Sequence, residues 1–310
     1  MTTTMPPELA VDDLLFSAKL DYVKFTNGGM KIGLPVLTGS HNWTRPTRGS
    51  KDWELTVHDP TAADLRIIAR EYENPMIMAV EVAVDVAPKA FLDEATHAHQ
   101  LEALYLAVAA RFRPEDKALW DYGQRGAVDA PRMKPQPLER RFARPDEEVL
   151  YGHRGDFMQS KLYLKTLDQG AILPRAGQRV RMEVTLRRNA CMLFGLDKAN
   201  DLFGYAYRAK FTTNFRIVDR PEVRAVRGLS ETDFNKRTTR MLRAWKTAGV
   251  GKFAVGDAPR EDVLVHAVAK VKSRARAQLP SDQYRLVRDQ RANAKIGAAL
   301  TGLQRRMKTA

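Results

Sequence analysis

The chain has 310 residues, 44% of them hydrophobic, and a formal net charge of +14. That length and apolar content allow one large domain or two modest ones. A single cysteine, Cys191, excludes an intrachain disulfide framework and a cysteine-based zinc site, and no apolar run reaches bilayer length, so a soluble protein of a reducing cytoplasm is expected, with no membrane partner.

Taken in chain order, residues 14–26 and 30–37 read as two strands separated by Asn27-Gly28-Gly29, a hairpin signal. Residues 53–59 form the next strand. Pro60-Thr61 then opens a helix whose Ala62, Leu65, Ile68 and Ala69 share a face, and Asn74-Pro75 stops it. Residues 76–86 are rich in β-branched side chains and read as a strand ended by Pro88. An amphipathic helix follows from about Leu92 to Phe112, with Leu101, Leu104, Tyr105 and Val108 inward.

Residues 114–148, polar and rich in Pro and Arg, read as an insertion or loop. Strands are expected at 149–152, 161–166 and 179–188, and a fourth at 212–218. Together these predict an α+β fold: an antiparallel-leaning sheet with helices on one face. After Arg220-Pro221 the pattern turns helical, with Ser230 and Asp233 opening a helix to about Lys246 and further helices at 260–278 and 282–307. Two regions follow from this, a sheet domain at 1–220 and a basic helical region at 221–310.

Charge supports the same division. Residues 221–310 hold 20 Lys and Arg against 8 Asp and Glu, whereas residues 1–220 hold 31 against 29. The C-terminal region thus supplies +12 of the +14. Such segregation points to a polyanion, and first to nucleic acid, because each neutralised phosphate releases counterions. Arg240, Arg243, Lys246, Lys272, Arg274, Arg276, Arg305 and Arg306 are the candidate phosphate contacts.

Three of the expected strands carry chemistry on one face. Side chains alternate along a strand, so Glu81 and Asp85 share a face opposed by Val82, Val84 and Val86. Lys161, Tyr163 and Lys165 share a face opposed by leucines, and Arg181, Glu183 and Thr185 share one opposed by Val180, Met182 and Val184. If the strands are neighbours, the polar faces build one surface of acids, bases and a tyrosine. Glu81, Asp85 and Glu183 are then candidate ligands for Mg²⁺ or Mn²⁺, and Lys161, Lys165 and Arg181 candidate stabilisers of a scissile phosphate. Flanking lysines would favour the Tyr163 phenolate as a nucleophile. An antiparallel sheet facing water gives the same striping.

VEVAVDV (80–86), YGHRGDFMQSKLYLK (151–165) and RVRMEVTLRR (179–188) resemble, in order and spacing, the rolling-circle replication initiators of small plasmids, the Rep_trans type, and related filamentous-phage replication proteins. The resemblance spans roughly residues 15–190. It implies a site-specific, metal-dependent enzyme of a bacterial host cytoplasm that nicks and rejoins one DNA strand at a replication origin, with Tyr163 as the nicking tyrosine. Glu81, Asp85 and Glu183 would be the metal ligands, and Arg154 falls at the family's basic position. Origin DNA, double- and single-stranded, would be the partner. A host helicase is implied, because no GxxxxGK[ST] motif is present; a homodimer is compatible. Glu81 stands where aspartate is usual, Lys161 where arginine is, and Thr185 where a second acid often follows. A conjugative relaxase with the same chemistry, or a non-catalytic DNA-binding replication or regulatory protein, is the alternative.

His97 and His99 lie two apart in a helical pattern and diverge by about 200°, which predicts a solvated face. Tyr122 reads as part of an aromatic patch with Trp120, and His153 as a candidate acid or base.

Overall fold

The computed structural model describes residues 10–26, 37–44, 53–114, 120–124, 147–151, 157–168, 170–224, 228–248, 250 and 283–308. Eight strands form one sheet: β1 (Leu14–Thr26), β2 (His41–Thr44), β3 (Glu54–His58), β4 (Met76–Pro88), β5 (Trp120–Gln124), β6 (Glu147–Tyr151), β7 (Met158–Lys165) and, later in the chain, β10 (Arg179–Arg187). Their order is β2-β3-β1-β4-β10-β7-β6-β5, and each neighbouring pair is antiparallel. The two short strands β8 (Leu167–Asp168) and β9 (Ala171–Ile172) make a separate turn between β7 and β10.

The long central strands form where the sequence alternates. In β4 the valines at 80, 82, 84 and 86 point to one face, and Pro88, which has no N–H to donate, closes the strand. Helix α1 (Ala62–Glu71) begins with a reciprocal capping box between Thr61 and Asp64. Tyr72 caps its end, and Glu73 and Asn74, two consecutive residues in the left-handed region, turn the chain away from the helix.

Helices cover the apolar face. Helix α2 (Glu94–Ala109) lies across β4, β7 and β10 and inserts Leu101, Leu104, Tyr105 and Val108. Helix α3 (Arg188–Phe194) turns back against β4 and β10, and the short α4 (Tyr207–Phe211) adds an aromatic cluster with Tyr205 and Phe215. The architecture is therefore α+β, with an antiparallel sheet and helices on one face, as the alternation predicts.

The C-terminal part differs more from the sequence reading. The strand expected at 212–218 instead starts at Val218, as β11 (Val218–Val223), and runs through Arg220-Pro221. Pro221 is tolerated because β11 belongs to a two-stranded ribbon and the pairing shifts register just before it. Its partner is β12 (Tyr284–Arg288), in a stretch read as helical; the helix begins only after Asp289, whose carboxylate accepts the Ala292 N–H at 2.9 Å. Between them lies α5 (Glu231–Ala248), opened by Ser230, whose hydroxyl accepts the Asp233 N–H at 3.1 Å and donates to the Asp233 carboxylate at 2.7 Å.

The last helix, α6 (Gln290–Lys308), packs on β1 and β4 and buries Ala292, Ile296, Leu300, Leu303 and Met307 in the same core as α2. The stretch read as a loop at 114–148 includes β5 and the start of β6. The expected hairpin turn at 27–29, nearly all of the strand at 30–37 and the helix at 260–278 lie outside the described residues.

Candidate active site

The face of the sheet away from the described helices gathers the polar stripes in register. β10 stands between β4 and β7, placing Arg181 opposite Asp85 on one side and Tyr163 on the other. Two residues along, Glu183 faces Ala83 and Lys161, and Thr185 faces Glu81 and Gln159. The adjacency required by the sequence reading is met: Glu81, Asp85, Lys161, Tyr163, Lys165, Arg181 and Glu183 lie on one face of three neighbouring strands.

A fourth strand contributes a residue the sequence reading did not single out. β1 pairs with β4 and carries a β-bulge between Leu20 and Tyr22. The bulge switches the phase of the strand, so Ala18 and Leu20 before it and Val23 and Phe25 after it all enter the core. Asp21, at the bulge, turns to the polar face and accepts a hydrogen bond from Arg181 Nη1. The phase change is visible in LLFSAKLDYVKFT, where, apart from the exposed Leu15, apolar residues fall at even positions up to Leu20 and at odd positions from Val23.

The hydroxyl of Tyr163 donates to Glu183 Oε1 at 2.5 Å. Lys161 Nζ lies 3.2 Å from Glu183 Oε2 and 3.5 Å from Glu81 Oε2, bridging the two acids. Glu81 Oε2 also accepts from the Thr185 hydroxyl. Arg181, fully buried, forks onto Asp85 with Nε to Oδ1 at 2.6 Å and Nη2 to Oδ2 at 2.8 Å. Arg179 Nε adds an ion pair to Asp85 at 2.9 Å.

Protonation follows from burial and charge. Burial, and then the charge of Glu183, push the Glu81 carboxyl up to about 7. Burial would raise Asp21 as well, but Arg181 and Lys19 outweigh it and hold that carboxyl low. The Tyr163 phenol is pushed well above its ordinary value, by burial first and then by the Glu183 carboxylate. This corrects the expectation that flanking lysines favour the phenolate. Lys161 is drawn to Glu81 and Glu183, and Lys165 Nζ turns to Asp168 at 2.7 Å.

Three carboxylates, those of Asp21, Glu81 and Glu183, place one oxygen each within 4.8 Å of the others. An all-oxygen donor set of this kind suits a hard ion such as Mg²⁺ or Mn²⁺. Asp85, one of the ligands read from the sequence, is instead occupied by two arginines, and Asp21 stands in the cluster.

The remaining candidates are dispersed. Arg240, Arg243 and Lys246 are exposed on α5, and Arg305 and Arg306 on the last turn of α6, where Arg306 donates to the Ala18 carbonyl of β1. His153, Arg154, Lys272, Arg274 and Arg276 lie outside the described residues. His97 is buried against Phe91, ring centroids 5.0 Å apart, and neither of its nitrogens finds a hydrogen-bond partner among the described residues; of the two histidines, it is His99 that lies on the solvated face. Tyr151 is buried and donates to the Phe112 carbonyl at 2.5 Å. Cys191 is buried and its thiol is pushed up to about 12, which makes it inert. Among the described residues, no helix is long and apolar enough to cross a membrane.

No protein-family model and no curated protein matches the chain. A solved structure does. It is described as a rolling circle replication initiator protein from Geobacillus stearothermophilus, is 11% identical, and aligns over 70% of this chain and 90% of its own with a TM-score of 0.34. At that score the functional reading rests on the chain's own residues.

Proposed function

We propose that the chain is a rolling-circle replication initiator that nicks and rejoins one DNA strand at an origin, with Tyr163 as nucleophile. The observation that carries this reading is the 2.5 Å hydrogen bond from the Tyr163 hydroxyl to Glu183, a carboxylate held in place by Lys161. In the metal-free site nucleophile, base and orienting group stand in sequence, an arrangement suited to covalent catalysis.

In the reaction, Glu183 takes the phenolic proton as the Tyr163 oxygen attacks phosphorus. The P–O3′ bond breaks, giving a 5′-phosphotyrosyl link and a 3′-oxygen that picks up a proton. Rejoining is the reverse, with the 3′-hydroxyl attacking and Tyr163 leaving; the phosphoester is conserved, so ATP is not consumed. Deprotonation of Tyr163 in the resting site is opposed by burial and by Glu183's charge. A Mg²⁺ or Mn²⁺ ion held by Asp21, Glu81 and Glu183 would offset that negative charge and polarise the phosphate. The exposed cations of α5 and the α6 terminus would hold the DNA backbone, and a separate helicase would open the duplex.

The same network favours a second reading. Arg181 is paired with Asp85, and Lys161 with Glu81 and Glu183, and such pairing is also what a DNA-binding protein that keeps the fold without the chemistry would show. The two separate cleanly. With single-stranded origin DNA and Mg²⁺ or Mn²⁺, the wild type should form a denaturation-resistant protein–DNA adduct that Tyr163→Phe abolishes while DNA affinity stays within about twofold. A wild type that binds but forms no adduct leaves only the non-catalytic reading.

A further inference from the structure

The acidic cluster already contains a cation. Lys161 Nζ sits between Glu81 Oε2 and Glu183 Oε2 at 3.5 and 3.2 Å, its side chain 27% exposed while those of the two acids are 5% and 2% exposed. Oxygens of all three acids also accept protons from other side chains: Glu81 Oε2 from Thr185, Glu183 Oε1 from Tyr163, and Asp21 Oδ1 from Arg181. A divalent ion needs the same lone pairs at about 2.1 Å. It would also meet the ammonium at close range in a water-poor site, where like charges repel far more strongly than in water.

We infer that the Lys161 ammonium is the resident cation of the Asp21–Glu81–Glu183 cluster, and that a divalent ion enters only by expelling it. Lys161 is then a gate on metal occupancy, and a positioning residue for Glu183 while the ion is out. Its partial exposure gives the displaced side chain a route to solvent, which the fully buried Arg181 lacks. The outward swing would free Glu183 Oε2 and Glu81 Oε2 together, because one ammonium holds both. Metal entry and release of the base from Lys161 thus become one event.

This inference deepens the nicking proposal, but its test contains no DNA. Mn²⁺ binding to the full chain is followed by the electron paramagnetic resonance of free Mn²⁺ for the wild type, Lys161→Met and the double variant Lys161→Met/Glu81→Gln. Lys161→Met should bind one Mn²⁺ at least about tenfold more tightly than the wild type, and the added Glu81→Gln should remove the gain. Equal or weaker binding by Lys161→Met overturns the inference. Should that variant fail to fold, Lys161→Gln, which keeps a donor between the two acids without the charge, must give the same ranking.

A readout on the wild type stands beside it. Acetylation of Lys161, mapped by mass spectrometry, should rise in step with any Mn²⁺ occupancy that Glu81→Gln abolishes, and occupancy without that rise overturns the inference. Failure of adduct formation would remove the nicking proposal and leave this competition standing. Equal Mn²⁺ binding with and without Lys161 would do the reverse.

Discussion

The two faces of β10 are both buried, and for opposite reasons. Val180, Met182, Val184 and Leu186 are covered by helices, a burial driven by loss of apolar surface from water. Arg181, Glu183 and Thr185, one residue out of phase, are just as inaccessible on the other side, where ionised groups from four strands surround one another. Helix-covered packing is additive and tolerant of shape-preserving change. A paired polar layer is tolerant only of changes that keep its charges matched, because a charge left alone has no water to turn to. The first face is the core, and the second carries the residues of the proposed chemistry.

The sharpest way to break the contrast is Arg181→Met. Removing this guanidinium leaves Asp85 with Arg179 and Asp21 with Lys19 as their remaining cations, and a loss of up to about 3–5 kcal/mol in urea unfolding is expected. Pairing it with Asp85→Asn should recover part of that loss, whereas independent contributions would simply add. On the apolar face, Met182→Ala should cost about 2–5 kcal/mol through lost transfer energy and a residual cavity, with DNA adduct chemistry preserved in whatever fraction remains folded.

The smallest effect is expected from Glu81→Gln, and it is one of slope. The Glu81 carboxyl titrates at about 7 in the fold against an ordinary 4.5, so between those values the native state binds more protons than the unfolded chain. Stability from this group is present below about 4.5 and lost as pH rises through about 7. Asp21, Asp64 and Asp168, held low, act in the opposite sense, losing their stabilisation as pH falls below the ordinary aspartate value. Melting temperature followed from about pH 5 to 8 should therefore decline less steeply in Glu81→Gln than in the wild type. Parallel curves would show that Glu81 is not the group responsible.

Much of this was legible in the sequence, and the physics says which part. Strands β4, β7 and β10 announce themselves by a strict period of two, and with it the faces of Glu81, Lys161, Tyr163, Arg181 and Glu183. What periodicity does not carry is register, and register decides partners. Asp85 looked like a metal ligand until its position opposite Arg181 made it a fork for a guanidinium. Lys165 looked like a partner of Tyr163 until the turn after β7 brought Asp168 to it. Strand β12 was hidden because YRLVR is short and runs almost directly into helix-forming sequence. The cap at Asp289 was its boundary mark.

The bulge in β1 has one more consequence. It is a reading-frame change written in three dimensions: upstream of Asp21 the strand is in one phase with the sheet, downstream in the other. Substituting Asp21 would alter one charge, but deleting it would return the strand to a single phase. Ala18, Leu20, Val23 and Phe25 would then follow one regular alternation and stay in the core, and what would be lost is the acid that the bulge turns to the polar face. The extra residue at this position serves the polar cluster and not the core, and an alignment that ignores it would misassign the faces of half the strand.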